Sequence, residues 1–163
     1  MHFYPGHSSA KRVGSLPHSI EKQVPQIEAL SGATFQVKAS NSGQFWWMLM
    51  RGTEMVGNFN LSKVRLDRFT EQDCDEAWRS LGHPPVWIVR TSWLHPSLVG
   101  KGRGSMAYQM MFSYAHTQGG VVGPDRCVDG ITSPAAQKVW ERLRSTYRME
   151  GPLLIPKAAT LMR

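Results

Sequence analysis

Apolar positions along this chain recur with two different periods, and the switches between them lay out the elements. Residues 34–38 put Phe35 and Val37 on one face of a strand. Residues 44–51 form a second strand, with Trp46, Trp47, Met48, Leu49 and Met50 reading as buried on both sides. After the turn Gly52-Thr53-Glu54, residues 55–61 make a third. From Thr70 the period lengthens. Cys74, Ala77, Trp78 and Leu81 fall at i, i+3, i+4 and i+7, one face of a helix. Thr70 with Asp73 predicts a capping box, and Glu71, Asp73 and Asp75 suit the positive end of the helix dipole. Gly82 and then Pro84 end that helix.

Residues 85–94 return to a nearly continuous apolar run, as a strand buried on both faces requires, with Arg90 expected to snorkel or to pair. Ala107, Met110, Met111 and Tyr114 mark the core stripe of a helix over 105–118. A short buried strand follows at 120–123, then a loop over 125–130. Ser133 and Pro134 open the last helix, which turns Ala136, Val139, Trp140 and Leu143 inward, and residues 153–155 close the sheet. Nearer the N-terminus, Ile20, Val24, Ile27 and Leu30 keep near-helical spacing. Pro25 interrupts them, so one or two short helical turns are expected there. The predicted order β-β-β-α-β-α-β-α-β describes an α/β fold with a mixed, mainly antiparallel central sheet flanked by helices.

Composition narrows the class. A chain of 163 residues suits a single domain, and 41% hydrophobic content suffices for a core. Residues 1–17, polar and rich in His and Ser, read as a loose arm. No secretory signal pattern stands at the start, and the strongest apolar run, Phe45 to Met50, is too short to span a bilayer. A cytoplasmic protein without membrane partners is the default expectation. The two cysteines, Cys74 and Cys127, show neither a C-x-x-C nor a zinc spacing. The place of Cys74 on an apolar helix face favours a buried thiol over a disulfide. No metal site is expected, since capping explains the acids at 71–75. The net charge of +7 favours anionic partners: nucleic acid, a membrane surface or an anionic cofactor.

One stretch carries specific chemistry: Leu94-His95-Pro96-Ser97-Leu98-Val99-Gly100-Lys101-Gly102-Arg103-Gly104, between a strand and a helix starting at Ser105. Gly100, Gly102 and Gly104 can take positive φ and admit a ligand to the backbone. The following helix adds unpaired amides and its positive dipole end, and Lys101 and Arg103 add charge. A phosphate or pyrophosphate is the simplest ligand. The G-x-G-x-G spacing is neither the dinucleotide fingerprint nor the P-loop.

These residues resemble the acyl-CoA turn of the GNAT N-acetyltransferases, whose pattern runs apolar-x-Pro-x-x-Arg/Gln-Gly-x-Gly-x-Gly/Ala. Leu94, Pro96, Gly100, Gly102 and Gly104 match in register; Val99 stands where the family carries Arg or Gln. The resemblance implies a GNAT-like domain and an enzyme that transfers acetyl from acetyl-CoA to an amine acceptor by direct attack. It places Trp93 and Leu94 against the pantetheine arm, and the backbone of Val99, Gly100, Lys101, Gly102, Arg103, Gly104 and Ser105 around the pyrophosphate. It also implies a base carboxylate on the central strand and a Tyr after Ala136. Residues 85–97 hold no Asp or Glu, and Trp140 stands at the tyrosine's place. Asp125, Ser133 and Tyr147 are the remaining catalytic candidates, with water as an intermediary.

Two alternatives stay open. One is a nucleic-acid-binding or nucleobase-modifying protein on the same fold, supported by the net charge and by Lys63, Arg65 and Arg68 beside the aromatic strands, though without a known binding motif. The other is a catalytically degenerate CoA-binding protein. A homodimer is compatible with either.

Overall fold

A computed structural model of the protein describes residues 16–41, 43–65, 67–100, 102–128, 134–145 and 147–155. Lys101, Ser133 and most of the expected arm at 1–17 lie outside the described residues. The elements run α1 (His18–Ser31), β1 (Thr34–Asn41), β2 (Gln44–Arg51), β3 (Glu54–Val64), α2 (Gln72–Ser80), β4 (Val86–Leu94), α3 (Arg103–Thr117), β5 (Val121–Gly123), α4 (Pro134–Arg144), β6 (Met149–Glu150) and β7 (Leu153–Leu154). Short 3-10 turns occupy Pro96–Leu98 and Asp125–Cys127. The protein is α/β, with a mixed seven-stranded sheet in the order β1-β2-β3-β4-β5-β7-β6. β1 runs antiparallel to β2, and β4 runs parallel to β5.

By its contacts the chain divides into two compact units. The first takes the described residues up to Leu61 together with Thr91–Tyr114; the second takes Ser62–Arg90 and the described residues from Ala115 onward.

In the first unit, α1 is longer than the sequence pattern predicts. It runs unbroken for 14 residues with Pro25 inside it. Pro25 is exposed, while Ile20, Val24 and Ile27 are buried. Burying three aliphatic side chains is worth roughly 4–9 kcal/mol, against about 3 kcal/mol for an interior proline. The aromatic cluster of β2 is core. Trp47 stacks between Phe35 at 5.1 Å and Phe59 at 4.3 Å, and Phe45 lies 4.1 Å from Tyr114. Trp46, half-buried, donates its Nε1–H to Asn58 at 2.8 Å.

The second unit is packed around Trp78, Val86, Ile88, Val121, Leu153 and Ile155. Two expectations change here. Thr70 and Asp73 do not form a capping box. α2 starts later, behind Glu71, with no side-chain cap. Thr70 Oγ1 donates instead to the Val128 carbonyl at 2.9 Å, and Asp73 accepts two bonds from Arg126 at 2.9 and 3.2 Å. A charge-assisted pair with a guanidinium outcompetes a neutral amide for a carboxylate. The second change is that Cys74 is not a free thiol: it is disulfide-bonded to Cys127, 53 residues away. Spacing along the chain carries no information about a pairing that only the fold brings within reach.

Candidate functional site: the glycine bend and its surroundings

The bend between β4 and α3 lies in the first unit. It is fastened at its start: the His95 N–H donates to the Val56 carbonyl at 2.8 Å, and His95 Nδ1 accepts from the Ser97 amide at 3.1 Å. Pro96, whose φ is preset, opens a single 3-10 turn that uses the amides of Leu98 and Val99. The chain then passes through Gly100 at φ +92° and Gly102 at φ +80°. A Cβ at either would meet nothing within 4 Å, so the backbone there is open on the side a side chain would occupy.

α3 begins at Arg103, two residues earlier than the sequence pattern predicts. Its first helical bond runs from the Met106 N–H to the Gly102 carbonyl at 3.1 Å. The amides of Arg103, Gly104 and Ser105 thus precede the first helical bond and have no carbonyl within the helix to meet. Leu94 Cδ1 lies 3.9 Å from where a Cβ added to Gly104 would stand, so the two ends of the matched pattern are near one another.

The side chains around the bend differ in use. Val99 is 60% exposed and supplies no donor where the family pattern has one. Trp93 is 42% exposed, with its ring edge-on to His95. Arg103 is occupied by the protein: its Nε donates to the Leu30 carbonyl at 2.6 Å near the end of α1, and its Nη1 to the Leu98 carbonyl at 3.3 Å. It clamps the bend to α1 and satisfies a helix-terminal carbonyl. Ser92 and Tyr108 share a hydroxyl–hydroxyl bond of 2.8 Å between β4 and α3. Burial pushes the Tyr108 phenol up, and the bond to Ser92 only partly offsets it. No motif marks this pair; its only trace in the sequence is the polar run Arg90-Thr91-Ser92 in an otherwise apolar strand.

The catalytic candidates fall in the second unit. Asp125, half-buried in its 3-10 turn, pairs with Arg90, which settles the expectation that Arg90 snorkels or pairs in favour of pairing. The parallel pairing of β4 with β5 ends at Ile88↔Gly123, where Pro124 removes the next backbone donor, while β4 continues to Leu94. Tyr147 is half-buried, and burial raises its pKa, so it holds its proton at neutral pH. Ser133 is outside the described residues. Among the described residues no cluster of His, Cys, Asp or Glu could hold a metal ion, and no helix is long and apolar enough to cross a membrane.

Comparison with protein-family models, with curated proteins and with solved structures finds no match to this chain.

Proposed function

We propose that this protein is an acyl-CoA-dependent N-acyltransferase, with acetyl-CoA as donor and an amine as acceptor. The observation that supports the reading is the bend itself. Two glycines at positive φ leave the backbone open, and three successive amides at the start of α3 have no helical partner. Such amides, with the helix dipole behind them, suit a diphosphate. The acceptor nitrogen would attack the thioester carbonyl directly. The C–N bond forms as the C–S bond breaks, the amine loses a proton, and the thiolate leaves with CoA.

The basic side chains contribute less than the sequence alone suggests, because Arg103 is committed to carbonyls of Leu30 and Leu98. The amine proton would pass to water. In the unit that holds the bend, the Ser92–Tyr108 pair is the hydroxyl couple able to donate toward a thiolate. A ligand bound only by the folded state raises the melting temperature by mass action. Millimolar acetyl-CoA is expected to raise it, and an unchanged melting temperature defeats the proposal.

A further inference from the structure

Within the second unit, a groove of about 240 Å³ opens beside the end of β3 and the Pro84-Pro85 turn. Lys63, Arg65, Phe69, Trp78, His83 and Pro84 line it. We propose that it is a nucleotide-binding groove, in which Lys63 and Arg65 hold a phosphate and the base lies against His83 and the two prolines. This assignment is independent of the acyltransferase reading and stands or falls without it.

The charges are one-sided. Lys63 and Arg65 reach the groove, and no carboxylate is among its described lining residues. The Asp75 carboxylate on α2 accepts from Arg79 at 2.7 Å and from the amide of Phe69 at 2.8 Å. Two exposed cations with no competing acid suit the phosphate of an anionic ligand.

The apolar part is rigid. Trp78 donates its Nε1–H to the Pro84 carbonyl at 2.9 Å, which pins the turn to α2. Phe69 meets the indole edge-on at 5.1 Å, and His83 does so at 4.6 Å. Trp78 is therefore the floor, and the exposed imidazole and prolines are the seat. His83 is also the one non-glycine residue at positive φ among the described residues, at +60°. Glycine would take that conformation without strain, so the helix end alone does not call for a histidine. The volume falls below the ~300 Å³ at which pockets for drug-sized ligands begin, which suits one base with its phosphate outside and excludes a dinucleotide.

The test uses the full chain and a short fluorescein-labelled oligouridylate, followed by anisotropy over a range of salt, with UMP as competitor. K63E/R65E is expected to weaken binding by tenfold or more and to lower the slope of log K against log salt by about 0.7, one phosphate contact on a single strand. K138E/R142E, an equal charge change on α4 outside the groove, is expected to leave affinity within about twofold, since the contact term is local. His83→Gly relieves the backbone and is expected not to lower the melting temperature, while binding weakens about tenfold through loss of the ring. Competition by UMP identifies a free mononucleotide as the ligand, and its failure beside tight oligouridylate binding identifies a single strand; either supports the groove. No binding, equal loss in both charge-reversal variants, or undiminished binding by His83→Gly overturns it.

Discussion

Cys74 at the start of α2 is covalently joined to Cys127 just after β5, and both residues are fully buried. The bond fixes the 3-10 turn that carries Asp125. Arg126 on Asp73 and Thr70 on the Val128 carbonyl hold the same turn on either side. Three different interactions thus converge on the three consecutive residues that follow Asp125, which is how a loop can present a carboxylate in one orientation. Disulfides are rare in the cytosol, where thiol pools keep cysteines reduced.

The crosslink closes a loop of 53 residues. On the chain-entropy account, a loop of that size is worth about 4 kcal/mol. The double change Cys74→Ala/Cys127→Ala is expected to lower the unfolding free energy by that order in urea titrations. A midpoint equal to that of the parent chain under oxidising conditions would show that the bond does not restrain the unfolded state.

His116 predicts the acid limb of stability. Burial pushes its pKa from 6.5 down to about 4, although a hydrogen bond to the Leu154 backbone works the other way. Among the described residues its Nε2 has no hydrogen-bond partner. Between those two values the unfolded chain binds the proton and the folded chain does not, so stability rises with pH across that window. The contribution is complete above about 6.5 and is lost as pH falls through about 4. The 2.5-unit displacement corresponds to about 3 kcal/mol. Urea midpoints measured from pH 7.5 to pH 4 are expected to fall, and His116→Phe to flatten the fall. A parent chain as stable at pH 4.5 as at pH 7 contradicts this placement of the imidazole.

The glycines of the bend are expected to separate by conformation. Gly102→Ala would place a side chain at φ +80°, a strain of about 1–2 kcal/mol with no clash to add to it. Gly104 is helical, and an added Cβ would meet only Leu94 Cδ1 at an ordinary 3.9 Å. Gly104→Ala is therefore expected to stabilise the chain by up to about 1 kcal/mol. It should also keep the melting-temperature response to acetyl-CoA, whereas Gly102→Val should lose it. Equal behaviour of the two variants in thermal melts would refute the conformational distinction.

The periodicity of the chain by itself determined the order of elements from β1 to α4, the buried stripe of α2 and the glycine bend with its flanking strand and helix, but not the full length of α1 or the two-residue strand β6. These are local properties: side chains two or four positions apart share a face whatever lies opposite, and a run of glycines permits a bend wherever it occurs. Tertiary structure decided what each local group does once competitors arrive. Pro25 stays inside a helix because Ile20, Val24 and Ile27 of that helix are buried. Thr70 and Asp73 forgo the cap because Val128 and Arg126, more than fifty residues away, offer better partners. Arg103 turns from a presumptive phosphate ligand into a clamp on Leu30, and two distant cysteines meet. Each of these outcomes depends on the energy of a contact whose partner lies far along the chain, and spacing within a short window holds no record of it.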